Sequence, residues 1–244
     1  MSRLKTSKTK FGEVTYFAND FYIAGCYDQG KVLDEEFIES TLAPHVKNAK
    51  IAVDCGGHIG SHTIVYKHIN PGLVLHTFEL QTPLYSVLKQ NVEKLKLSDV
   101  FLYNCALGNK VTTVAVSDRI IDGPNANEVF NYDGVYNFGG VQVGKTGHED
   151  KLMIPLDSLN LPGCDYIKID VEGCELPVVV GALTTIVKYR PVVYYESNYK
   201  TMTDDMAQLT GIPKDDGSGV LKILSGLGYG FAPFGHNILA IPNP

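Results

Sequence analysis

KIAVDCGGHIGSHT, residues 50–63, decides how the rest of the chain is read. Ile51-Ala52-Val53 is a short apolar run with the length and residue types of a buried parallel strand. It ends in an acid, Asp54, and a glycine-rich turn follows, Gly56-Gly57-His58-Ile59-Gly60. Ser61 and Thr63 suit the cap of the next helix. Small residues let a backbone pass close to a ligand, and a new helix presents unpaired N–H groups at that place. Strand, acid, glycine turn and helix together describe a nucleotide-type cofactor site.

The dinucleotide fingerprint G-x-G-x-x-G would need glycines at 55, 57 and 60, and position 55 is Cys55. The chain has D-x-G-G-x-x-G instead, and Asp54 would repel a pyrophosphate. A cofactor with positive charge near the turn fits better. S-adenosylmethionine (SAM), with its ammonium and sulfonium, is such a molecule. The plainer alternative is a glycine turn that only lets a helix pack on a sheet.

The chain has 244 residues, enough for one good core and short for two full domains. Its 44% apolar and 20% charged residues are those of an ordinary soluble protein. A formal net charge of −6 argues against a nucleic-acid partner, which would want a basic surface. The basic start, MSRLKTSKTK, reads as a solvated tail. Every apolar run falls short of the roughly 18 residues of a membrane helix, so no membrane insertion is expected. The N-terminal residues also lack the apolar core of a signal peptide. Cys26, Cys55, Cys105, Cys164 and Cys174 form an odd set without a C-x-x-C pair, which fits neither a disulfide framework nor a zinc ribbon. A reducing, cytoplasmic location is the expectation.

Residues 1–49 read as an extension that covers the site, and 50–244 as the main domain. In the extension, β-rich runs around Asn19-Asp20 predict a hairpin, and Asp34 is placed to cap a helix over 35–41. A helix over 61–69 stops at Asn70-Pro71-Gly72, and a strand over 73–78 ends in Glu79. The helix over 83–95 carries Asn91 in its apolar stripe, read as a buried amide that ties down a backbone group. Strands over 100–103 and 111–116 follow. Residues 117–150 turn polar and rich in Gly, Asn and Asp, an irregular insertion on the substrate side. A strand over 166–170 ends in Asp170, and the next helix has an apolar stripe at Leu176, Val179, Val180, Leu183 and Val187. A strand over 192–195 runs into Glu196, and a helix over 219–227 precedes a closing hairpin of strands 229–233 and 237–241. Helix-separated parallel strands closed by an antiparallel hairpin predict an α/β, doubly wound sheet.

Ligands of such sheets sit beyond the carboxyl ends of the strands, where Asp54, Glu79, Asn104 and Asp170 all stand. Glu79 is placed where nucleotide-binding folds hold ribose hydroxyls, and Asn104, Cys105, Ala106 and Leu107 where they meet the base. In the insertion, Tyr136, Asn137, Gly139 and Gly140 surround Phe138, combining rings that stack on sugar faces with amides that bond hydroxyls. His58 and His62 have a spacing that could bind zinc, but no third ligand presents itself.

DCGGHIGSHT at 54–63, FEL at 78–80, NCALG at 104–108, NFGG at 137–140, IKIDVEGCE at 167–175 and RPVVYYE at 190–196 resemble the FkbM-type methyltransferases in order and spacing. The resemblance implies a mostly parallel seven-stranded sheet of the Rossmann-like class I methyltransferase kind. It also implies SAM-dependent methyl transfer to a hydroxyl, most often on a sugar of a glycan or natural product, leaving S-adenosylhomocysteine (SAH). By the same resemblance, Asp54, Thr63 and the 56–60 turn would hold the methionine part, with Asp170 close by. Glu79 with Leu80 would hold the ribose, and the 104–107 loop the adenine. The family often has Ala-Asn where this chain has Gly57-His58, and His where it has Cys174.

A sugar hydroxyl is a poor nucleophile, so a general base or a metal is expected to help. Asp170 is the first candidate base, followed by Glu172, Glu196 and His148. Tyr136, Asn137, Gly139, Gly140 and Asn198 are expected to meet a carbohydrate acceptor. Asp170, Glu196 and Asn198 could also form an oxygen-rich Mg²⁺ site. Two rival classes are an NAD(P)-dependent oxidoreductase, against which Cys55 and Asp54 stand, and a non-catalytic glycan-binding module that keeps the fold.

Overall fold

A computed structural model of the chain describes residues 3–120, 128–197, 202–214 and 216–244. Strands β1 (Leu4–Thr9) and β2 (Gly12–Phe17) pair antiparallel, with Thr9 opposite Gly12 at the turn. Gly12 takes φ +119°, a conformation that suits glycine. The hairpin therefore closes at Lys10-Phe11 rather than around Asn19-Asp20, and the basic residues read as a tail form a paired strand. Asp20 instead accepts the N–H of Tyr22 and caps helix α1 (Phe21–Asp28). The helix expected over 35–41 is divided into α2 (Glu35–Phe37), a π turn at Ile38–Leu42 and α3 (Ala43–Val46). Asp34 makes no capping bond there, and its backbone is left-handed at φ 59°.

The alternation predicted from residue 50 onward is present. Strand β3 (Ile51–Cys55), helix α4 (Ser61–Ile69), strand β4 (Val74–Phe78), helix α5 (Thr82–Lys94) and strand β5 (Val100–Tyr103) follow one another. Helix α5 buries Leu84, Val87, Leu88 and Asn91 on one stripe. Asn91 does tie down backbone: its amide donates to the carbonyls of Thr15 and Ile59, and its oxygen accepts the N–H of Thr15. One buried side chain thus fastens the N-terminal hairpin to the glycine turn.

Strands β6 (Ala106–Leu107), β7 (Thr112–Ile120), β8 (Val141–Gly144) and β9 (Glu149–Ile154) form a second sheet in the order β6-β9-β7-β8. The ends of the segment expected to be irregular, and the stretch from Phe138 to Gly144 within it, are therefore ordered. β9 pairs antiparallel with β7 and parallel with β6, contacts between distant residues that no local pattern announces. Residues 121–127 lie outside the described residues.

The main sheet resumes with β10 (Tyr166–Ile169), helices α6 (Glu175–Gly181) and α7 (Leu183–Tyr189), and β11 (Val192–Glu196). Helices α8 (Asp204–Thr210) and α9 (Gly219–Gly226) and the hairpin β12 (Tyr229–Phe234) with β13 (Asn237–Pro242) complete the chain. The single helix expected after Asp170 breaks at Ala182; its buried residues include Val178, Val179 and Ile186, while Val187 is exposed. A Cβ on Gly181 would stand 1.8 Å from the carbonyl oxygen of Gly108, so α6 runs close against the loop after β6.

The seven-stranded order is β12-β13-β11-β10-β3-β4-β5, with β13 antiparallel to both neighbours and the other pairs parallel. Ala52, Leu75 and Tyr166 pack on one face under α1, α4 and α5, and Val53, Ile167 and Val193 on the other under α6, α7 and α9. Strand order reverses where β10 lies beside β3, the switch point at which open α/β sheets form a ligand crevice. Among the described residues, no helix is long and apolar enough to cross a membrane.

Candidate active site

Parallel register lines up Tyr194, Lys168, Asp54 and Thr77 across four strands, and all four are buried. Lys168 Nζ donates to the carbonyl of Gly56 at 2.6 Å and lies 3.4 Å from Asp54 Oδ1 and 3.7 Å from Asp170 Oδ2. Burial alone would lower the ammonium's pKa, but the Asp54 and Asp170 carboxylates more than offset it and raise it above the ordinary lysine value. The other oxygen of Asp54 accepts the Thr63 hydroxyl at 2.9 Å. Asp54 and Thr63, expected at the cofactor, therefore stand behind the cavity wall, where a lysine compensates the acid. Lys168 is absent from the sequence-based set of site residues. Its signal is a lysine inside an otherwise apolar strand, which needs an opposite charge beside it once buried.

The glycines of the turn serve packing. A Cβ on Gly56 (φ +87°) would fall 1.9 Å from the carbonyl oxygen of Asp170, and one on Gly57 2.3 Å from Thr77 Cγ2. Both N–H groups donate to the carbonyl of Phe78, at 3.0 and 2.8 Å. Crowded strand ends thus exclude side chains at two glycines that also line the cavity beyond. Gly60 occupies the cap position of α4, and the Ser61 hydroxyl meets that of Tyr27 at 2.8 Å, so the expected Ser61 and Thr63 caps are not made. Ile59 is buried in the core. Neither it nor Gly60 lines the cavity.

Beyond these strand ends opens a cavity of about 410 Å³. Gly56, Gly57 and His58 form one part of its wall, Glu79 and Leu80 another, and Cys105, Ala106 and Leu107 a third. The oxygens of Glu79 accept the N–H groups of His58 and Gln81, each at 2.7 Å, and burial raises its pKa. Asn104 is not in the wall. Its amide donates to the carbonyls of Glu79 and Leu80 and its oxygen accepts from Lys151, so it braces the two loops that are. Val141 and Val143 of β8 complete an apolar side with Leu80, Ala106 and Leu107.

At the strand ends, Asp170, Glu172 and Glu196 each bring a carboxylate oxygen within 4.8 Å of the other two. Behind them, buried Glu175 accepts the N–H groups of Val171 (3.2 Å) and Gly173 (3.1 Å) and holds the turn that carries Glu172 at φ 56°. Burial pushes the Glu175 carboxyl up to about 7. His148, expected with the acids, is exposed and faces the rings of Phe130 and Tyr132 at 6.0 and 6.1 Å instead. Asn137 and Gly139 line the cavity, whereas Gly140 and Tyr136 do not; Tyr136 packs near Phe130. Asn198 lies outside the described residues.

The extension adds Tyr22, Ile23, Leu33 and Asp34 to the wall, and the last hairpin adds Phe234 and Asn237, all missing from the sequence-based set. His58 and His62 both line the cavity, but they are not part of a metal-ligand cluster among the described residues. His58 Nε2 lies 3.1 Å from Asp20 Oδ2, and His62 Nδ1 lies 2.9 Å from the Tyr66 hydroxyl.

Residues 54–231 match the family model described as the methyltransferase FkbM domain. No curated protein sequence matches the chain. Among solved structures, it is similar to a methyltransferase FkbM from Methylobacillus flagellatus KT, with a TM-score of 0.50 and 16% identity. That match covers 79% of this chain and 43% of the other, so this chain spans less than half of that relative's length. It is also similar to an O-methyltransferase from Bacillus cereus in complex with SAH, with a TM-score of 0.47 and 14% identity over 86% of this chain and 80% of that one. The family match takes in most of the sequence, from the end of β3 through β4, β5, β10 and β11, and the chain belongs to the FkbM methyltransferase family.

Proposed function

We propose that this chain methylates a hydroxyl group of a carbohydrate, with SAM as the donor. Family membership implies the donor. The observation that carries the acceptor class is the acid rim, Asp170, Glu172 and Glu196 within 4.8 Å of one another. Asp34 and Glu79 add further carboxylates to a cavity whose lining includes the buried cation Lys168. Such a potential attracts a cationic donor and repels phosphate and carboxylate acceptors, which favours a neutral hydroxyl.

The residues present fit the donor. Glu79 offers a buried carboxylate to ribose hydroxyls, and Leu80, Ala106, Leu107 and Val143 offer an apolar side to a flat base. Bound SAM would supply a methyl group on a good leaving group, the sulfonium. The chain's own residues then align the acceptor oxygen and take its proton. Asp170, at the end of β10 and beside Lys168, is the assigned base, with Glu172 and Glu196 flanking it. Asn137 and the 137–139 turn, on the wall supplied by the insertion, offer amide groups to sugar hydroxyls.

Incubation with SAM and a glycan panel, followed by mass spectrometry for the gain of one methyl group, tests the proposal. Sugar binding without SAH formation would reveal a non-catalytic module, and methylation at nitrogen or carbon would overturn the hydroxyl assignment. Asp170→Asn should lower turnover by about two to four orders of magnitude while SAH affinity changes little. Near wild-type turnover would remove Asp170 from the role. A second reading starts from the same trio, in which Glu172 takes the place expected for Asn198: three carboxylate oxygens this close are a donor set that suits Mg²⁺. Activity lost in EDTA and restored by Mg²⁺ would select it, and full activity in chelator would dismiss it.

A further inference from the structure

The family match starts at Asp54, yet Tyr22, Ile23, Leu33 and Asp34, all ahead of it, line the cavity. One buried carboxylate connects that N-terminal wall to the rest. Asp20 is 0% exposed and sits at the start of α1. Its Oδ2 lies 3.1 Å from His58 Nε2 in the glycine turn. Its Oδ1 accepts the N–H of Tyr22 at 3.3 Å and that of Phe138 at 3.5 Å. Three segments that each supply cavity wall therefore meet at a single side chain: the glycine turn, the beginning of α1 and the 137–139 turn. His58 is also held at its other end. Its N–H donates to Glu79 Oε2 at 2.7 Å, and its backbone takes φ 51°, a strained value for a non-glycine residue.

Resting on the reading of this cavity as the donor site, we propose that the Asp20–His58 ion pair is a latch, which closes α1 and the 137–139 turn over the donor. Asp20 is a positioning residue that acts through His58, and the latch holds while the imidazole is protonated. The charged groups around His58 are Asp20 from the start of α1, Glu79 from the end of β4 and Lys168 from β10; the 137–139 turn contributes none. Burial and Lys168 disfavour the imidazolium, whereas Asp20 and Glu79 favour it and prevail, so its pKa lies above the ordinary histidine value. The latch is therefore engaged below that raised pKa and released as pH rises through it.

Calorimetry of SAH binding to the full chain tests this without any acceptor. Wild type, Asp20→Asn, His58→Asn and the double variant are compared from about pH 6 to about pH 9, the span in which imidazoles lose their proton. Asparagine at position 20 can still cap α1. The ligand's α-amino group and Glu175 titrate in the same range in every variant, so the difference between curves isolates the latch. At the acid end each single variant should bind SAH about tenfold more weakly, the loss expected for one close, buried charge pair. The gap should close toward the alkaline end, and the double variant should bind no more weakly than either single one. Hydrogen exchange should show α1 amides protected by SAH in wild type at the acid end and not in His58→Asn.

Parallel curves, or additive losses in the double variant, would overturn the latch while leaving the donor site intact. A wild-type chain that binds no SAH would overturn the donor reading and the latch with it. If Asp20→Asn fails to fold, wild type against His58→Asn still decides.

Discussion

Replacing Lys168 by methionine should cost the fold about 3–5 kcal/mol, the usual loss when one partner of a buried ion pair is removed. The lysine and Asp54 side chains are 3% and 0% exposed, so water screens neither, and their charged atoms stand 3.4 Å apart. At an effective dielectric near 20, two unit charges at that distance attract by about 5 kcal/mol. The contact to Asp170 at 3.7 Å adds less, because that side chain is 46% exposed. Methionine is close to lysine in length, so the loss reports the charge and the bond to the Gly56 carbonyl rather than a cavity. Domains are stable by only about 5–15 kcal/mol in total, and the urea midpoint should fall steeply at unchanged slope. Asp54→Asn in the same chain supplies the control. With both charges gone, the double variant should lose at least about 2 kcal/mol less than the sum of the single losses. A Lys168→Met protein within about 1 kcal/mol of wild type, or strictly additive losses, would refute the idea that the lysine compensates the buried acid.

Glu175 should make stability pH-dependent. Its folded pKa of about 7 lies above the unfolded value near 4.3, so its contribution is complete below that value and is lost as pH rises through about 7. Urea midpoints should fall across that window, by about 4 kcal/mol in stability, and Glu175→Gln should remove that component; an unchanged slope in the variant would count against it. Gly56→Ala places a Cβ 1.9 Å from a backbone oxygen at φ +87° and should cost about 2–4 kcal/mol, read from urea unfolding. His148→Gln should leave turnover unchanged, since that ring lies away from the cavity wall, and a large drop would return it to the list of candidate bases.

The parallel core was legible because its signals are local. Apolar runs such as 51–53 and 100–103 are bounded by turn residues, and Asn70-Pro71-Gly72 stops α4 where the helix in fact ends. Asn91 was legible for a similar reason, since an amide on an apolar stripe needs a buried partner. The N-terminal hairpin was misplaced because Asn19-Asp20 suits a turn and a helix cap equally, and Asp20 caps. The strand over 111–116 was legible in the sequence, but its pairing into a second sheet was not, because β9 is held by β7 and β6, whose register depends on residues far along the chain. Of the site, Glu79, Asp170, Glu172, Glu196 and the 105–107 loop do line the cavity. Asn104 and Tyr136 carry the right chemistry for a wall, but their side chains are spent on other contacts.

The amino-acid sequence alone settled that acids follow the strands, that a glycine turn leads into a helix, and that the family is one of methyltransferases. Only the tertiary structure decided which of those acids meet the cavity. Asp54 and Lys168 are brought side by side by the parallel register of β3 and β10, so the acid is neutralised inside the protein while Asp170, at the next step out, faces the opening. Charge pairing of this kind depends on distance in space, and separation along the chain carries no trace of it.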